Sequence, residues 1–507
     1  MPHSPDTAPV CHQDGVRTAE PCAVVIFGAS GDLTARKLIP SLFALYESGR
    51  LPDPFFVVGV ARTPLDHEGF RRGLEEDNAT AILHNRDAWL RFAGRLYYHP
   101  LDYDDGAAYP RLAAELDRLD REVGTGGNRI FYLAVPPSVS PRIAARLGEC
   151  GLAGGVPGGW ARIVVEKPFG SDLESALALD RIMHRSFREE QIFRIDHYLA
   201  KETVQNILMF RFANAIFEPV WNRGFVDYVG IVAAEQLGIE NRAGYYEQAG
   251  VIRDMFQNHL MQLLSLVAME PPSMFRAARV QDEKVKVFRS MRPFSEARPE
   301  ENLILGQYDG GSPGGVAAVP YREEPGVRPD SLTPTYAMLR LFIDNWRWRD
   351  VPFYLVSGKR LKEKITRVVV QFRDIPHSMF RHLLGEGINA NRLTLGIHPD
   401  ENIRLTFQAK VPGPRICMQT VAMDFAYGGG GPKVDSYARV LLDCIAGDHM
   451  LFWRQDGVEE TWSHLDPILL ECEHCSNRAG LLHRYGAGSW GPEAAWKWMR
   501  LIVGDHG

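Results

Sequence analysis

At 507 residues the chain exceeds what one ordinary core supports, so at least two domains are expected. Its composition, 45% hydrophobic and 24% charged, is that of a soluble globular protein, and no apolar run is long enough to span a membrane. A formal charge of −6 offers no general polyanion-binding surface, so nucleic acid is not an expected partner and any phosphate must be held by a few placed cations.

Residues Met1 to Glu20 contain no hydrophobic segment of the signal-peptide kind, so 1–21 reads as a tail and a cytoplasmic location is expected. The first regular element is 23–27, Ala-Val-Val-Ile-Phe, a continuous apolar run typical of a strand buried on both faces. It leads into Gly28-Ala29-Ser30-Gly31-Asp32-Leu33 and then a helical pattern through Leu38, Ile39, Leu42, Phe43 and Leu45. Pro40 is awkward there, because it lacks the N–H that a helix interior uses. Further strands are expected at 55–61, 129–135 and 162–166, and alternation with helices predicts a parallel, doubly wound sheet.

In such a sheet, ligands lie beyond the carboxyl ends of the strands. Gly28 and Gly31 fall at the first of these positions, where glycine admits a pyrophosphate close to the backbone and the next helix offers free N–H groups. Ser30 stands at the middle glycine position of the strict G-x-G-x-x-G spacing. The second strand ends in Arg62 where an acidic residue would favour the free ribose of NAD; an arginine favours a 2′-phosphate and hence NADP. Lys167-Pro168 follows the strand ending at Glu166, with a cis bond open to it and the lysine placed to meet cofactor and substrate, or simply a solvated loop residue.

Residues 192–202 read as a strand that stops at Asp196 and gives way to a helix-compatible segment. There Asp196 is a good N-cap, and His197 and Lys201, four apart, fall on one helical face as a phosphate site or a solvated face. In 250–269 the residues Ile252, Met255, Phe256, Leu260, Leu263 and Leu264 recur with helical period, and His259 falls on their buried stripe. A core histidine satisfied by a carbonyl is the ordinary explanation; an inward-facing imidazole is equally what a general base requires. Asp254 lies about 140° round an α-helix from His259, so it is expected to act separately, for example by accepting substrate hydroxyls.

From 205 onward, 226–234, 335–343, 365–372, 391–397 and 403–409 alternate apolar and polar residues, as in an antiparallel sheet with one packed and one open face. The Gly- and Pro-rich run 309–329 reads as a surface loop. Seven scattered cysteines argue against a disulfide scaffold. Cys472-Glu-His-Cys475 has ligand-like spacing, but no second pair lies near it, so it reads as a pair on a helix flank and no metal is expected. The expected fold is an α/β Rossmann-like domain over 22–203, followed over 204–507 by a larger α+β substrate and oligomerisation domain with a mainly antiparallel sheet.

Several stretches together resemble the glucose-6-phosphate dehydrogenase family. They are the Gly28 turn with Arg36-Lys37 behind it, Glu166-Lys-Pro-Phe-Gly170, Arg194-Ile-Asp-His-Tyr-Leu-Ala-Lys-Glu202, and 244–262 around Ile-Arg-Asp and Gln-Asn-His-Leu. Asp282-Glu-Lys-Val-Lys-Val287, Val351-Pro-Phe with Ser357-Gly-Lys-Arg, and Asn402-Ile-Arg-Leu add to them. The likeness runs from about residue 22 past 440. The Asp-His-Tyr-Leu block is highly specific and the glycine turn is not.

The resemblance implies NADP-dependent oxidation of glucose 6-phosphate at C1, the first step of the oxidative pentose phosphate pathway, by a homodimer or homotetramer. It implies that His259 takes the C1 hydroxyl proton and that Asp196 orients the imidazole. His197, Tyr198 and Lys201 would hold the phosphate, Glu235 and Asp254 the sugar hydroxyls, and Lys359 and Lys364 would add contacts. Lys37 and Lys167 would lie between cofactor and sugar, and Arg62 would clamp the 2′-phosphate; Gly28, Ala29, Ser30, Gly31, Asp32 and Leu33 would form the dinucleotide turn. Ala200 stands where the family often has Gly, a change expected to be harmless within a helix, and Ser140 where some members carry Tyr near the cofactor. A dehydrogenase of another hexose phosphate would need different residues around Glu235 and Asp254. A non-catalytic, cofactor-binding regulator would lack part of the set, whereas Asp196, His197, Lys201 and His259 are all present.

Overall fold

The computed structural model describes residues 20–79, 84–294, 301–384, 388–426, 435–474 and 478–504. The expected tail lies outside them except for its last two residues, and the Cys472–Cys475 pair lies outside the described side chains. The chain forms two compact units: Met1–Glu166 with Arg181–Ile195 and Val434–His449, and Lys167–Asp180 with Asp196–Lys433 and Met450–Gly507.

In the first unit, six strands are hydrogen-bonded in the order β6-β5-β4-β1-β2-β3, all parallel. They are β1 (Cys22–Phe27), β2 (Phe55–Ala61), β3 (Leu96–Pro100), β4 (Arg129–Leu133), β5 (Ala161–Val165) and β6 (Ile192–Ile195). Every residue of β1 and β2 is buried, as the unbroken apolar runs require of strands covered on both faces. β3 escaped the apolar-run criterion because it is an edge strand, Leu-Tyr-Tyr-His-Pro, with alternating burial.

Pro40 is accommodated by a change of helical winding. Thr34–Leu38 is π-wound, the Ile39 N–H bonding the Thr34 carbonyl, and the α-helix Ile39–Glu47 then begins with proline in its first turn. At that position the missing N–H costs little.

The second unit is built on a nine-stranded sheet. Its strands are β7 (Val226–Ala234), β8 (Leu303–Gly311), β9 (Tyr336–Leu341), β10 (Phe353–Gly358), β11 (Ile365–Phe372), β12 (Arg392–His398), β13 (Asn402–Lys410), β14 (Met418–Ala426) and Leu482–Ala487. The order is β14-β13-β12-β11-β7-β10-β9-β8 and then Leu482–Ala487. Pairing is antiparallel except for β7 with β10 and for β8 with the last strand. The expected fold class holds in both units.

The open face expected along this sheet is confined to its outer strands. β14 is largely exposed, whereas β7 and β10 are almost wholly buried. β7 packs against both the helical stretch Ile252–Leu260 and the helix Trp496–Val503, and a Cβ at Gly230 would stand 2.7 Å from Ile502. The 309–329 run is not wholly a surface loop. β8 extends to Gly311, which bridges to Ala318, and Tyr321 is fully buried with its hydroxyl donating to Glu247 Oε1 at 2.6 Å.

Candidate active site

In the first unit, the chain leaves β1 through a turn that only glycine can make. Gly28 has φ +88°, and a Cβ there would lie 2.0 Å from the Ala134 carbonyl oxygen. The Gly31 N–H donates to the Gly28 carbonyl at 2.9 Å, as does the Thr34 hydroxyl at 3.0 Å. Ala29 is buried and donates to Val60 O, while Ser30 is exposed and takes no left-handed conformation, so the middle glycine is dispensable here. Asp32 pairs with Arg36 at 2.7 Å, Leu33 is half-buried, and Lys37 is exposed on the π-wound turn. Arg62, also exposed, follows β2 directly; Val60 of β2 pairs in register with Phe27, so Arg62 stands beside the turn. Ser140 is buried at the start of the helix Ser140–Glu149. A tight glycine turn with an adjacent exposed guanidinium is a chemically apt cradle for a 2′-phosphorylated dinucleotide.

In the second unit, Asp196 and His259 come together although sixty-three residues separate them. Asp196 Oδ1 lies 2.7 Å from His259 Nδ1 and also accepts the Tyr198 N–H at 2.9 Å; both side chains are about 1% exposed. An ionised carboxylate at Nδ1 makes that nitrogen the protonated one and leaves a lone pair on Nε2. The Lys167 ammonium faces that lone pair at 2.9 Å. The Lys167–Pro168 peptide bond is cis.

The segment after β6 is not helical as expected. Residues 196–201 form successive tight turns, with the Leu199 N–H on the Asp196 carbonyl and the Lys201 N–H on that of Tyr198, and the helix Glu202–Phe212 starts only after them. The Asp196 side chain competes for the local N–H groups and holds the turn. Thus His197 and Lys201 do not share a helical face, and Ala200 lies in a turn where it has no positive φ. Instead, Tyr198 stacks on the His259 ring at 4.1 Å, His197 meets it edge-on at 4.7 Å, and the Lys201 ammonium sits 3.9 Å over Tyr198.

Asp254 also departs from expectation. Ile252–Leu260 is π-wound, entered through a kink at Gly250 with φ +57°. With i to i+5 bonding, residues five apart come onto one face, so Asp254 and His259 look the same way. Lys167 Nζ joins them, 3.3 Å from Asp254 Oδ1 and 3.2 Å from its carbonyl oxygen. The Tyr245 hydroxyl donates to the same carboxylate at 3.2 Å.

Glu235 and Lys359 meet because β7 and β10 run parallel in register, Ala234 opposite Gly358. The residue following each strand therefore lands beside the other, with Lys359 Nζ 2.6 Å from Glu235 Oε2. Lys364 is exposed, and it shares a cationic neighbourhood with Lys201 and His398, the last residue of β12.

The electrostatics suit proton transfer. Burial lowers the pKa of His259, and Lys167 adds to this while Asp196 opposes it, leaving a net value below the ordinary imidazole range. Burial alone would raise the Asp196 carboxyl, but His259 outweighs it and holds the group below the usual carboxylate range. Asp254 behaves alike: burial raises it, while Lys167 and Lys359 carry it lower. Burial and the neighbouring His259 press His197 down to about 3, so it is a neutral donor. Burial also lowers the Lys201 amine, with Asp196 opposing and Lys364 contributing.

Tyr245 and His398 belong to this constellation and were not singled out by sequence. Tyr245 lies nine residues before Asp254, a spacing that means nothing until the Gly250 kink is known. His398 had only its place at a strand end beside Pro399.

Two family models cover almost the whole chain: the glucose-6-phosphate dehydrogenase NAD binding domain over 25–206 and the C-terminal domain over 208–501. Glucose-6-phosphate 1-dehydrogenase of Aggregatibacter actinomycetemcomitans is 46% identical over 479 residues, 94% of this chain and 95% of that protein. The Treponema pallidum enzyme of the same name is 46% identical over 490 residues, 95% and 94% of the two chains. A solved glucose-6-phosphate dehydrogenase in complex with its substrate glucose-6-phosphate superposes with a TM-score of 0.87 at 33% identity, covering 97% of this chain and 99% of that one. The Mycobacterium avium glucose-6-phosphate 1-dehydrogenase gives 0.80 at 35% identity, over 96% and 98% of the chains. The chain belongs to the glucose-6-phosphate dehydrogenase family.

Proposed function

We propose that this protein oxidises D-glucose 6-phosphate at C1 to 6-phospho-D-glucono-1,5-lactone, with His259 as general base and NADP as the hydride acceptor. Family membership over both halves supports the reaction; the Asp196–His259–Lys167 line is the observation that carries the assignment of the base. The bound nicotinamide supplies the two-electron acceptor. Gly28, Gly31 and Arg62 are the residues suited to hold that coenzyme, by the close backbone turn and the exposed guanidinium.

The chain's own part is to bind, orient and deprotonate the sugar. Asp196 keeps the Nδ1 proton in place, so that Nε2 is the basic atom. The C1 hydroxyl takes the hydrogen-bonding position at Nε2 that Lys167 occupies, and its proton passes to Nε2. Asp196 then stabilises the imidazolium as C1 becomes a carbonyl carbon. Lys167, released toward Asp254, retains a carboxylate partner. Glu235, Asp254 and Lys359 receive sugar hydroxyls, and Lys201, with His197, Tyr198 and Lys364, receives the phosphate.

The test is the appearance of 340 nm absorbance with glucose 6-phosphate, free glucose or other hexose phosphates, each with NADP and NAD. Glucose 6-phosphate with NADP is expected to give the highest kcat/KM and free glucose to be poor; no signal with glucose 6-phosphate contradicts the assignment. No described helix is long and apolar enough to cross a membrane. We read the protein as cytoplasmic and as a homodimer or homotetramer, assembled through the exposed outer strands, where Met423 is 63% exposed. Light scattering on the purified protein gives the subunit number.

A further inference from the structure

Tyr245, half-buried on the helix Ala243–Val251, takes no part in the chemistry above, yet its hydroxyl donates to Asp254 Oδ1 at 3.2 Å. The same carboxylate oxygen receives the Lys167 ammonium at 3.3 Å. Burial and the neighbouring Asp254 charge raise the Tyr245 phenol well above its ordinary pKa, so the hydroxyl keeps its proton and stays a donor.

The two donors on Oδ1 differ in what they can fix. An ammonium is a compact point charge and sets no plane for a carboxylate, and Lys167 is shared with the Asp254 carbonyl oxygen at 3.2 Å and His259 Nε2 at 2.9 Å. The tyrosine is held more firmly, because its helix is pinned from the far side. Glu247, two residues on and about 200° round the helix, accepts the Tyr321 and Ser331 hydroxyls on Oε1 at 2.6 Å each, and Arg328 Nε on Oε2 at 3.1 Å. At the end of the helix the Val251 N–H donates to the Pro334 carbonyl at 3.1 Å. The Arg242 guanidinium lies over the Tyr245 ring, 4.8 Å from its centroid.

We propose that Tyr245 is a positioning residue that sets specificity for the sugar: its hydroxyl fixes the orientation of the Asp254 carboxylate, so that the acid receives a ring hydroxyl from one direction only. This rests on the role proposed above for Asp254 as a receptor of sugar hydroxyls. A carboxylate held by Lys167 alone can turn about that contact; a second donor on the same oxygen, carried by an anchored helix, removes the freedom. A fixed acceptor discriminates strongly, because an analogue without the matching hydroxyl leaves a buried charge unpaired, whereas an acceptor able to turn finds another partner.

The experiment is a double-mutant cycle on the full-length protein: wild type, Tyr245→Phe, Asp254→Asn and the double variant, with kcat and KM measured for glucose 6-phosphate and for its 2-deoxy and 3-deoxy analogues. Tyr245→Phe keeps the ring and loses only the hydroxyl. Its KM for glucose 6-phosphate is expected to rise by about tenfold with a smaller fall in kcat, and its preference over the poorer deoxy analogue to shrink by a similar factor. In the Asp254→Asn background the same change should have little further effect, since both residues act through one carboxylate. Tyr245→Leu should be no better than Tyr245→Phe. Wild-type KM and preference in Tyr245→Phe overturn the proposal, and so do fully additive effects in the double variant or a fall in kcat alone. Loss of the fold in both Tyr245→Phe and Tyr245→Leu makes the residue structural and overturns it as well. If Asp254→Asn by itself leaves KM and preference at wild-type values, the role of Asp254 fails, and that result is read from the single variant, apart from any result on Tyr245.

Discussion

Lys167 Nζ lies 2.9 Å from His259 Nε2, the nitrogen that the Asp196 contact leaves with a free lone pair. The base is thus pre-aligned, its lone pair already directed at a donor, and on the function proposed above the lysine stands where the substrate hydroxyl binds. The same ammonium adds to the effect of burial in holding the imidazole below its ordinary pKa.

Replacing Lys167 by Met therefore has two readable effects. The His259 pKa rises, because one cause of its depression is gone, and the acid limb of kcat moves to higher pH. Loss of a preorganised donor also lowers kcat by about 10²-fold. Steady-state rates between pH 5 and 9 check both effects.

Asp196→Asn is expected to lower kcat by about 10³-fold, since an amide can present its N–H to Nδ1 and favour the unproductive tautomer. Its effect on stability has a definite sign. The folded carboxyl sits below its unfolded value near 4, so its contribution is complete above that value and is lost as pH falls through the lower folded one. Denaturation curves between pH 2 and 7 should show a shallower acid-side decline in the variant.

On the proposal that the Arg62 guanidinium meets only the 2′-phosphate, Arg62→Leu is expected to weaken NADP binding by about 10- to 100-fold while leaving NAD binding nearly unchanged. Titration of each coenzyme by protein fluorescence measures this. Equal loss for both would instead tie Arg62 to the turn or to the pyrophosphate.

What the sequence revealed follows from which features are local. β1 and β2 are legible because an unbroken apolar run is compatible with few environments other than a doubly covered strand. Gly28 is legible because its place after such a strand demands a residue without a Cβ. His259 reads correctly as inward-facing, since the stripe formed by Met255 and Leu263 survives the change of winding. The winding itself is invisible. No residue type in 252–260 announces an i to i+5 register, so α-helical spacing puts Asp254 on the wrong face. The four-residue spacing of His197 and Lys201 imitates a helix, and only the Asp196 hydrogen bonds show that a turn wins there.

The most direct test of the central claim is His259→Asn, assayed for turnover and, by calorimetry, for glucose 6-phosphate binding. With His259 acting on the proton and Lys201 and its neighbours holding the sugar phosphate, as proposed above, kcat is expected to fall by about 10³-fold or more while the dissociation constant changes little. Near wild-type turnover with binding abolished would contradict it, and would make His259 a ligand rather than the base.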